Sequence, residues 1–335
     1  MIHAGGFILC AVIIFLAGKK LSYYGDLLAE KTGMGKAWIG LILMASVTSL
    51  PELMVGISSS AIVQSADLAV GDILGSCAFN LGILAIMDAF LPRHLSILGT
   101  ASPNHILAAA LGIILISMVG VAIFLPEDIV ISSWIGLTSL SFIIIYFISI
   151  RLIYLNEMKS ANVSAGTVVQ GQAHADITLK QIIGKYVLFA LIIIAAALTL
   201  PYFAEKIAED TGLGKSFVGT FFLAVSTSLP EIAVSIAAVR MGSIDLAVGN
   251  LLGSNLFNIL ILAIDDIFYT KGFILKDATP NNIISVFSAI LMTAVAIIGL
   301  SFRTKGKRFL LAWDAALIFI IYIVNLILLY QLSNS

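Results

Sequence analysis

Long apolar stretches, separated by short polar connections, run through the whole chain. A helix needs about 20 apolar residues to cross a bilayer, and the pattern supplies that length repeatedly. It predicts an all-α polytopic membrane protein with ten transmembrane helices, near residues 4–29, 36–63, 66–90, 104–125, 130–156, 181–208, 215–240, 244–268, 281–302 and 308–331. The longest polar connection, 158–180, follows the fifth predicted helix and is too short for a folded domain. We therefore expect an N-terminal five-helix half (1–157), a linker (158–180) and a C-terminal five-helix half (181–335).

Composition supports the membrane assignment and narrows the partners. Apolar residues make up 60% of the chain and charged residues 11%, against about 25% charged residues in a typical soluble domain. The net charge of −1 offers no basic surface for nucleic acid. The expected partners are the lipid bilayer and inorganic cations, with no protein partner evident. Cys10 and Cys77 form no disulfide or metal pattern. The N-terminal stretch lacks a basic region and a cleavage motif, which indicates a retained first helix rather than a signal peptide.

Lysine and arginine are distributed unevenly between the two sets of connections. The connections on one side of the predicted membrane, together with the helix ends beside them, hold 14 of the 18 basic residues, and the opposite side holds 4. Because cytoplasmic loops carry the excess of basic residues, we expect a multi-pass protein of the cell membrane with both termini outside and the linker in the cytoplasm. With five helices in each half, the second half then starts from the opposite face, so the halves are predicted to be inverted.

The two halves also share sequence. Residues 35–63 align without gaps on 214–242 with 11 identities, and residues 67–88 align on 245–266 with 15 identities in 22 positions. The first repeat motif therefore spans about 35–88 and the second about 214–266. Inverted repeats in transporters place the substrate site near the middle of the membrane, where the repeats meet.

The pentapeptide TSLPE occurs once in each repeat, inside an apolar stretch. Proline lacks an N–H and disrupts a helix, so the second and seventh predicted helices are expected to be broken. A carboxylate at membrane depth is costly and usually functional, and a simple proline kink does not account for two of them. Hydroxyl, carbonyl and carboxylate oxygens converge within one helical turn in each copy. These residues are Thr48, Ser49 and Glu52 in the first copy and Thr227, Ser228 and Glu231 in the second.

Polar residues four apart mark one face of the third and eighth predicted helices, which we also expect to be broken around the site. They are Asp72, Ser76 and Asn80 in the first repeat and Asn250, Ser254 and Asn258 in the second. The serines and asparagines could equally join one helix to another. Together with the glutamates they describe an all-oxygen cage without histidine or cysteine, which favours hard cations such as Ca²⁺ and Na⁺ over transition metals. No cofactor is expected.

The segments GTFFLAVSTSLPEIAVS and GNLLGSNLFNILIL resemble the α-repeats of the cation/calcium exchanger (CaCA) superfamily, and within it the Na⁺/Ca²⁺ exchangers. The resemblance implies an antiporter that works by alternating access, with a central Ca²⁺ site flanked by Na⁺ sites. It implies that the two glutamates and the threonine carbonyls hold Ca²⁺, while serine, threonine and alanine oxygens help to hold Na⁺. The carbonyls of Ala45 and Ala224 enter the predicted site through this resemblance. It also implies that the first and sixth helices slide across the others.

Two features depart from the family pattern. Asn80 and Asn258 stand where many members carry an aspartate, and Asp72 stands where asparagine is more common. We hypothesise that Asp72 supplies a third charge, either to a site or to the outer access path. Asp88 and Asp266, two turns further along the helices, are interpreted as vestibule or interface carboxylates.

Three other functions fit parts of the pattern. A Ca²⁺(cation)/H⁺ antiporter of the same fold is the nearest alternative, because desolvated glutamates also take up protons. A channel agrees less well with broken helices around a charged site. An intramembrane aspartyl protease needs two facing aspartates, whereas the repeat mate of Asp72 is Asn250. We therefore predict a transporter and not an enzyme. The predicted transported ions are Ca²⁺ and Na⁺, with H⁺ as the alternative coupling ion.

Overall fold

The computed structural model describes residues 2–124, 136–164, 177–211, 227–303 and 306–333, and helices make up most of these ranges. The helices are α1 Ile2–Thr32, α2 Lys36–Trp38, α3 Ala45–Thr48, α4 Leu50–Ser58, α5 Ala66–Asp88, α6 Ile97–Thr100, α7 His105–Phe124, α8 Leu137–Ser164, α9 Leu179–Thr211, α10 Leu229–Arg240, α11 Ile244–Phe268, α12 Ile274–Asp277, α13 Asn282–Phe302 and α14 Trp313–Ser333. Two π-helical segments, Ile39–Met44 and Ser59–Val63, join α2 to α3 and extend α4.

Nine helical stretches in the described ranges are long and apolar enough to cross a membrane. They correspond to nine of the ten predicted helices, which confirms the all-helical polytopic fold class. The predicted helix at 215–240 begins outside the described residues, and its second part is α10. The fifth predicted helix likewise begins outside them and continues as α8.

The second predicted helix is interrupted where the sequence places its break. Ser49, with φ −89° and ψ 8°, separates α3 from α4. Ser228 has nearly the same backbone, φ −85° and ψ 3°, and immediately precedes α10. Pro51 and Pro230 follow as second residues of their helices, where the missing N–H has no helical partner to lose. Each glutamate consequently lies in the first turn of a new helix, where the helix dipole favours a negative charge.

The third and eighth predicted helices are continuous, so the expectation that they break is wrong. α5 runs without interruption over 23 residues and α11 over 25. Neither contains a proline, and glycine in a helix interior costs only about 1 kcal/mol relative to alanine. An unbroken helix also satisfies its own backbone groups in an apolar surrounding, where each unsatisfied group is costly.

α11 passes through the middle of the described structure and contacts α4, α5 and α10. Its glycines allow one close approach in particular. A Cβ at Gly253 would lie 2.7 Å from the Cα of Leu41, so α11 packs backbone to backbone on the π-helical segment Ile39–Met44. We call α3, α4, α5, α10 and α11 the central cluster. At its edge α1 packs along α9 and against α10.

Asp88 and Asp266 are buried and act as interface carboxylates rather than lining a vestibule. The carboxylate of Asp88 accepts hydrogen bonds from the amides of Ile97 and Ala312, both at 2.8 Å. The carboxylate of Asp266 accepts one from the amide of Ile274, also at 2.8 Å. Each aspartate therefore accepts the first amide of the short helix, α6 or α12, that follows its own helix, an N–H without a partner inside that helix.

Candidate cation site

The two glutamates of the repeated pentapeptide lie in the central cluster and are almost fully buried, with exposed fractions of 2% for Glu52 and 1% for Glu231. The hydroxyl of Ser228 donates to Oε1 of Glu52 at 3.3 Å, and the hydroxyl of Ser49 donates to Oε1 of Glu231 at 3.1 Å. Each glutamate is thus bonded to the serine of the other repeat. Two ionised carboxylates that share a buried site repel each other, and a cation between them would offset that repulsion.

The hydroxyls around the glutamates differ between the two repeats. Ser254 donates to Oε1 of Glu231 at 3.4 Å, whereas the hydroxyl of its repeat mate Ser76 is buried without a hydrogen-bond partner. The Thr48 hydroxyl lies 3.3 Å from both the carbonyl oxygen of Ala45 and Oδ1 of Asn250.

Of the two alanine carbonyls predicted to line the site, the structure describes only that of Ala45. The carbonyl of Ala45 also accepts the amide of Ser49 at 3.0 Å. An ion bound to this carbonyl would compete with the Thr48 hydroxyl for it. Ala224 lies outside the described residues, and Thr227 is buried beside Ser228.

The asparagines use their N–H groups to join α5 to α11. Asn80 donates to Oδ1 of Asn255 at 3.0 Å, and Asn255 donates to the carbonyl oxygen of Cys77 at 3.1 Å. Asn258 donates to Sγ of Cys77 at 3.7 Å. The Oδ1 atoms of Asn80 and Asn258 remain buried without partners. The amide groups therefore fix the two helices while leaving one oxygen each for a ligand.

The hydrogen bonds of Asn255 and Cys77 between α5 and α11 were not predicted from the sequence. These two residues occupy matching positions directly after Ser254 and Ser76, and their different side chains conceal the relation. A third polar side chain at position 255, between Ser254 and Asn258, is the signal that could have indicated it.

Unpartnered oxygens concentrate in this site within the described residues. They are Oε2 of Glu52, Oε2 of Glu231, Oγ of Ser76, Oδ1 of Asn80 and Oδ1 of Asn258. A buried polar atom without a partner costs about 1–3 kcal/mol, so five in one place favour a ligand that satisfies them together. Carboxylate, amide and hydroxyl oxygens are the ligands of Ca²⁺ and Na⁺ rather than of transition metals. The donor set therefore fits a hard cation.

Asp72 lies beside the cage rather than in the glutamate hydrogen-bond network. Its Oδ2 is buried without a partner, and its helix α5 packs against α4, which carries Glu52. The hypothesis that it supplies a third charge stays a prediction.

Comparisons with known proteins agree on one family. The family model described as sodium/calcium exchanger protein matches residues 2–155 and 181–331. The sodium/calcium exchanger MaX1 of Methanosarcina acetivorans is 27% identical over 363 aligned positions, which cover 99% of this chain and all of the relative. The inner membrane protein YrbG of Escherichia coli is 28% identical over 267 positions, 75% of each chain.

A solved structure of the sodium-calcium exchanger NCX_Mj shares the fold. Its TM-score is 0.73 at 19% sequence identity, with 98% of both chains covered. Because the family model covers most of both halves, the resemblance predicted from the repeated motifs is confirmed: the chain belongs to the sodium/calcium exchanger family.

Proposed function

We propose that this protein is a secondary active antiporter that exchanges Na⁺ for Ca²⁺ across the cell membrane by alternating access. The observation that carries the proposal is the facing pair of buried glutamates, each bonded to the serine of the other repeat and each keeping one free oxygen. Family membership and the names of the relatives support it.

The charge of the cage suits exchange rather than simple binding. Glu52 and Glu231 carry two negative charges, which one Ca²⁺ or two Na⁺ balance. A site that holds either load, but not both at once, couples their movements in opposite directions. We assign Glu52 and Glu231 as the central Ca²⁺ ligands, with the remaining predicted residues as further ligands of Ca²⁺ or Na⁺. These are Thr48, Ser49, Ser76, Asn80, Thr227, Ser228, Ser254 and Asn258, with the Ala45 and Ala224 carbonyls.

We propose that the halves 1–157 and 181–335 are inverted repeats with the linker in the cytoplasm and both termini outside. Matched hydrogen bonds support the relation. Asp67, in the first turn of α5, accepts the amide of Thr279 at 2.5 Å, and its mate Asp245, in the first turn of α11, accepts the amide of Ser102 at 2.6 Å. Each bond runs from one repeat to the other. We further propose that α1 and α9, which lie at the edge, slide across the central cluster.

The coupling ion is tested with purified protein in vesicles. We expect ⁴⁵Ca²⁺ uptake into Na⁺-loaded proteoliposomes to follow an imposed Na⁺ gradient and to be indifferent to an imposed pH gradient at equal Na⁺. Uptake driven by the pH gradient alone would instead identify a Ca²⁺/H⁺ antiporter. Ca²⁺ flux that needs no countergradient would identify a channel.

The site is tested by neutralising each glutamate. Glu52→Gln and Glu231→Gln are each expected to abolish Na⁺-driven Ca²⁺ uptake, because each removes one of the two charges that balance Ca²⁺. Leaving a buried charge uncompensated costs about 3–5 kcal/mol. Glu30→Gln, an exposed carboxylate at the end of α1, is the matched control and should keep wild-type uptake. Uptake that persists in both glutamate variants would overturn the site assignment.

A further inference from the structure

A second group of buried oxygens lies between the candidate cage and one end of the central cluster. Asp265 is fully buried in the last turn of α11, and neither of its carboxylate oxygens has a hydrogen-bond partner among the described residues. Its repeat mate is Met87, so the carboxylate has no counterpart in the first repeat. Leaving a carboxylate in such a place is costly unless a partner compensates its charge.

The carboxylate of Asp265 lies directly against α4, which is the helix that carries Glu52. A Cβ at Gly56, one turn after Glu52, would lie 2.5 Å from Oδ1 and 2.7 Å from Cγ of Asp265. Only a glycine at this position leaves room for the acid. One turn further along, Ser60 is fully buried and its hydroxyl has no partner. Glu52 and Gly56 share one face of α4, and Ser60, four residues further on, lies in the π-helical segment that extends it.

Asp72 completes the group from α5. Its Oδ2 is buried and unpartnered, and α5 packs against both α4 and α11. Glu52, Asp72 and Asp265 therefore stand on three helices in mutual contact, with Asp72 towards the start of α5 and Asp265 at the end of α11. By the orientation proposed above, those helix ends face the outside.

We propose that Asp72 and Asp265, with the hydroxyl of Ser60, form a second hard-cation site, separate from the glutamate cage, which Ca²⁺ or Na⁺ occupies on its way between the cage and the outer face. The two carboxylates supply the charge, and the unpartnered hydroxyl supplies a neutral oxygen of the kind that both ions accept. Asp266, the neighbouring acid, is engaged with the amide of Ile274 and takes no part. This inference rests on the proposed exchange function.

Equilibrium binding tests the site without requiring transport. The Glu52→Gln/Glu231→Gln double variant, purified at full length, is titrated separately with ⁴⁵Ca²⁺ and with ²²Na⁺. We expect saturable binding of at least one ion to remain, and to be lost on adding Asp265→Asn. Asp265→Met, which copies the repeat mate, gives a second variant in case the first folds poorly. Absence of residual binding, or equal binding with and without Asp265, would overturn the proposal.

Transport gives an independent readout. At an effective dielectric constant of about 20, removing a unit charge that lies about 10 Å from a bound cation weakens the affinity for that cation roughly tenfold or more. Asp265→Asn alone should therefore raise the half-saturating external Ca²⁺ concentration about tenfold. Asp277→Asn, an exposed acid after the same helix end, is the control for surface charge and should leave that concentration unchanged. An unchanged value in Asp265→Asn would contradict this inference alone, whereas wild-type protein without Na⁺-driven uptake would contradict the proposed function.

Discussion

Adding a carboxylate to the cage at Asn80 or at Asn258 is the same chemical change at two related positions, yet the structure predicts opposite results. Asn80 donates to Oδ1 of Asn255 at 3.0 Å, so an aspartate there would bring two acceptor oxygens together. Asn255 cannot turn its amide to compensate without giving up its bond to the carbonyl of Cys77 at 3.1 Å. Asn258 loses only a contact to Sγ of Cys77 at 3.7 Å.

The magnitudes follow from those contacts. Leaving a buried acceptor unpaired costs about 1–3 kcal/mol, and the new repulsion adds to it, so Asn80→Asp should lower the free energy of unfolding by about 2–4 kcal/mol. Asn258→Asp avoids most of this cost. A unit charge about 5 Å from a divalent cation contributes roughly 6 kcal/mol at an effective dielectric constant of about 20, and desolvation offsets most of it. A remainder of about 1.4 kcal/mol is a tenfold gain in Ca²⁺ affinity.

Two measurements check the prediction on the same preparations. Thermal unfolding of the detergent-solubilised protein without Ca²⁺ should show Asn80→Asp well below the wild type and Asn258→Asp close to it. Ca²⁺ titration of the folded protein should show tighter binding in Asn258→Asp. The two variants serve as controls for each other, since both add one charge to the same cage. Equal stability and equal Ca²⁺ affinity in the two variants would refute the hydrogen-bond reasoning.

Two further predictions concern stability. Gly253→Ala should destabilise the protein by about 3 kcal/mol, because the added methyl would lie 2.7 Å from the Cα of Leu41. Gly184→Ala, whose methyl would enter open space beside α9, is the control and should not destabilise it. Thermal unfolding compares the two variants, and equal melting temperatures would contradict the close packing. Asp88→Asn should cost about 3–5 kcal/mol because it removes the carboxylate, with Oδ2 at 3.6 Å, that balances the charge of the buried Lys307 ammonium, which then keeps only the backbone carbonyls of residues 88 and 91 as partners among the described residues. A further Lys307→Met change should restore part of that loss in the same assay.

Sequence patterns were sufficient for features that repeat. The helix breaks at Ser49 and Ser228 and the clustering of the two glutamates follow from a pentapeptide that occurs twice in matching positions. Proline and carboxylate are both costly in an apolar helix, so their repetition carries information that a single copy does not. The helical spans were equally accessible, because bilayer thickness fixes the length of each apolar stretch.

Features that depend on contacts between unrelated positions were not accessible. Whether α5 and α11 break depends on packing around their glycines, which spacing alone does not reveal. Asp265 looks like one of two acids at a helix end until its burial against Gly56 is seen. Asp88 was equally uncertain, because one of the amides that engage it comes from Ala312, more than 200 residues away in sequence.

The cross-repeat bonds constrain how access could alternate. Because Ser49 and Ser228 each hold the glutamate of the other repeat, separating the repeats would dismantle the cage, so the moving part has to lie outside the central cluster. α1 fits that requirement because it lies at the edge of the cluster, where the hydroxyl of Ser22 donates to the carbonyl of Val234 on α10 at 2.8 Å. The firmer tie lies near the end of α1, where Asp26 pairs with Lys36 at 2.7 Å and also accepts a hydrogen bond from the hydroxyl of Ser243. Asp26 and Lys36 are partly exposed, and such an ion pair contributes at most about 1 kcal/mol. For α1 and α9 to slide as proposed, the ion pair and the Ser243 hydrogen bond would both have to break in each cycle.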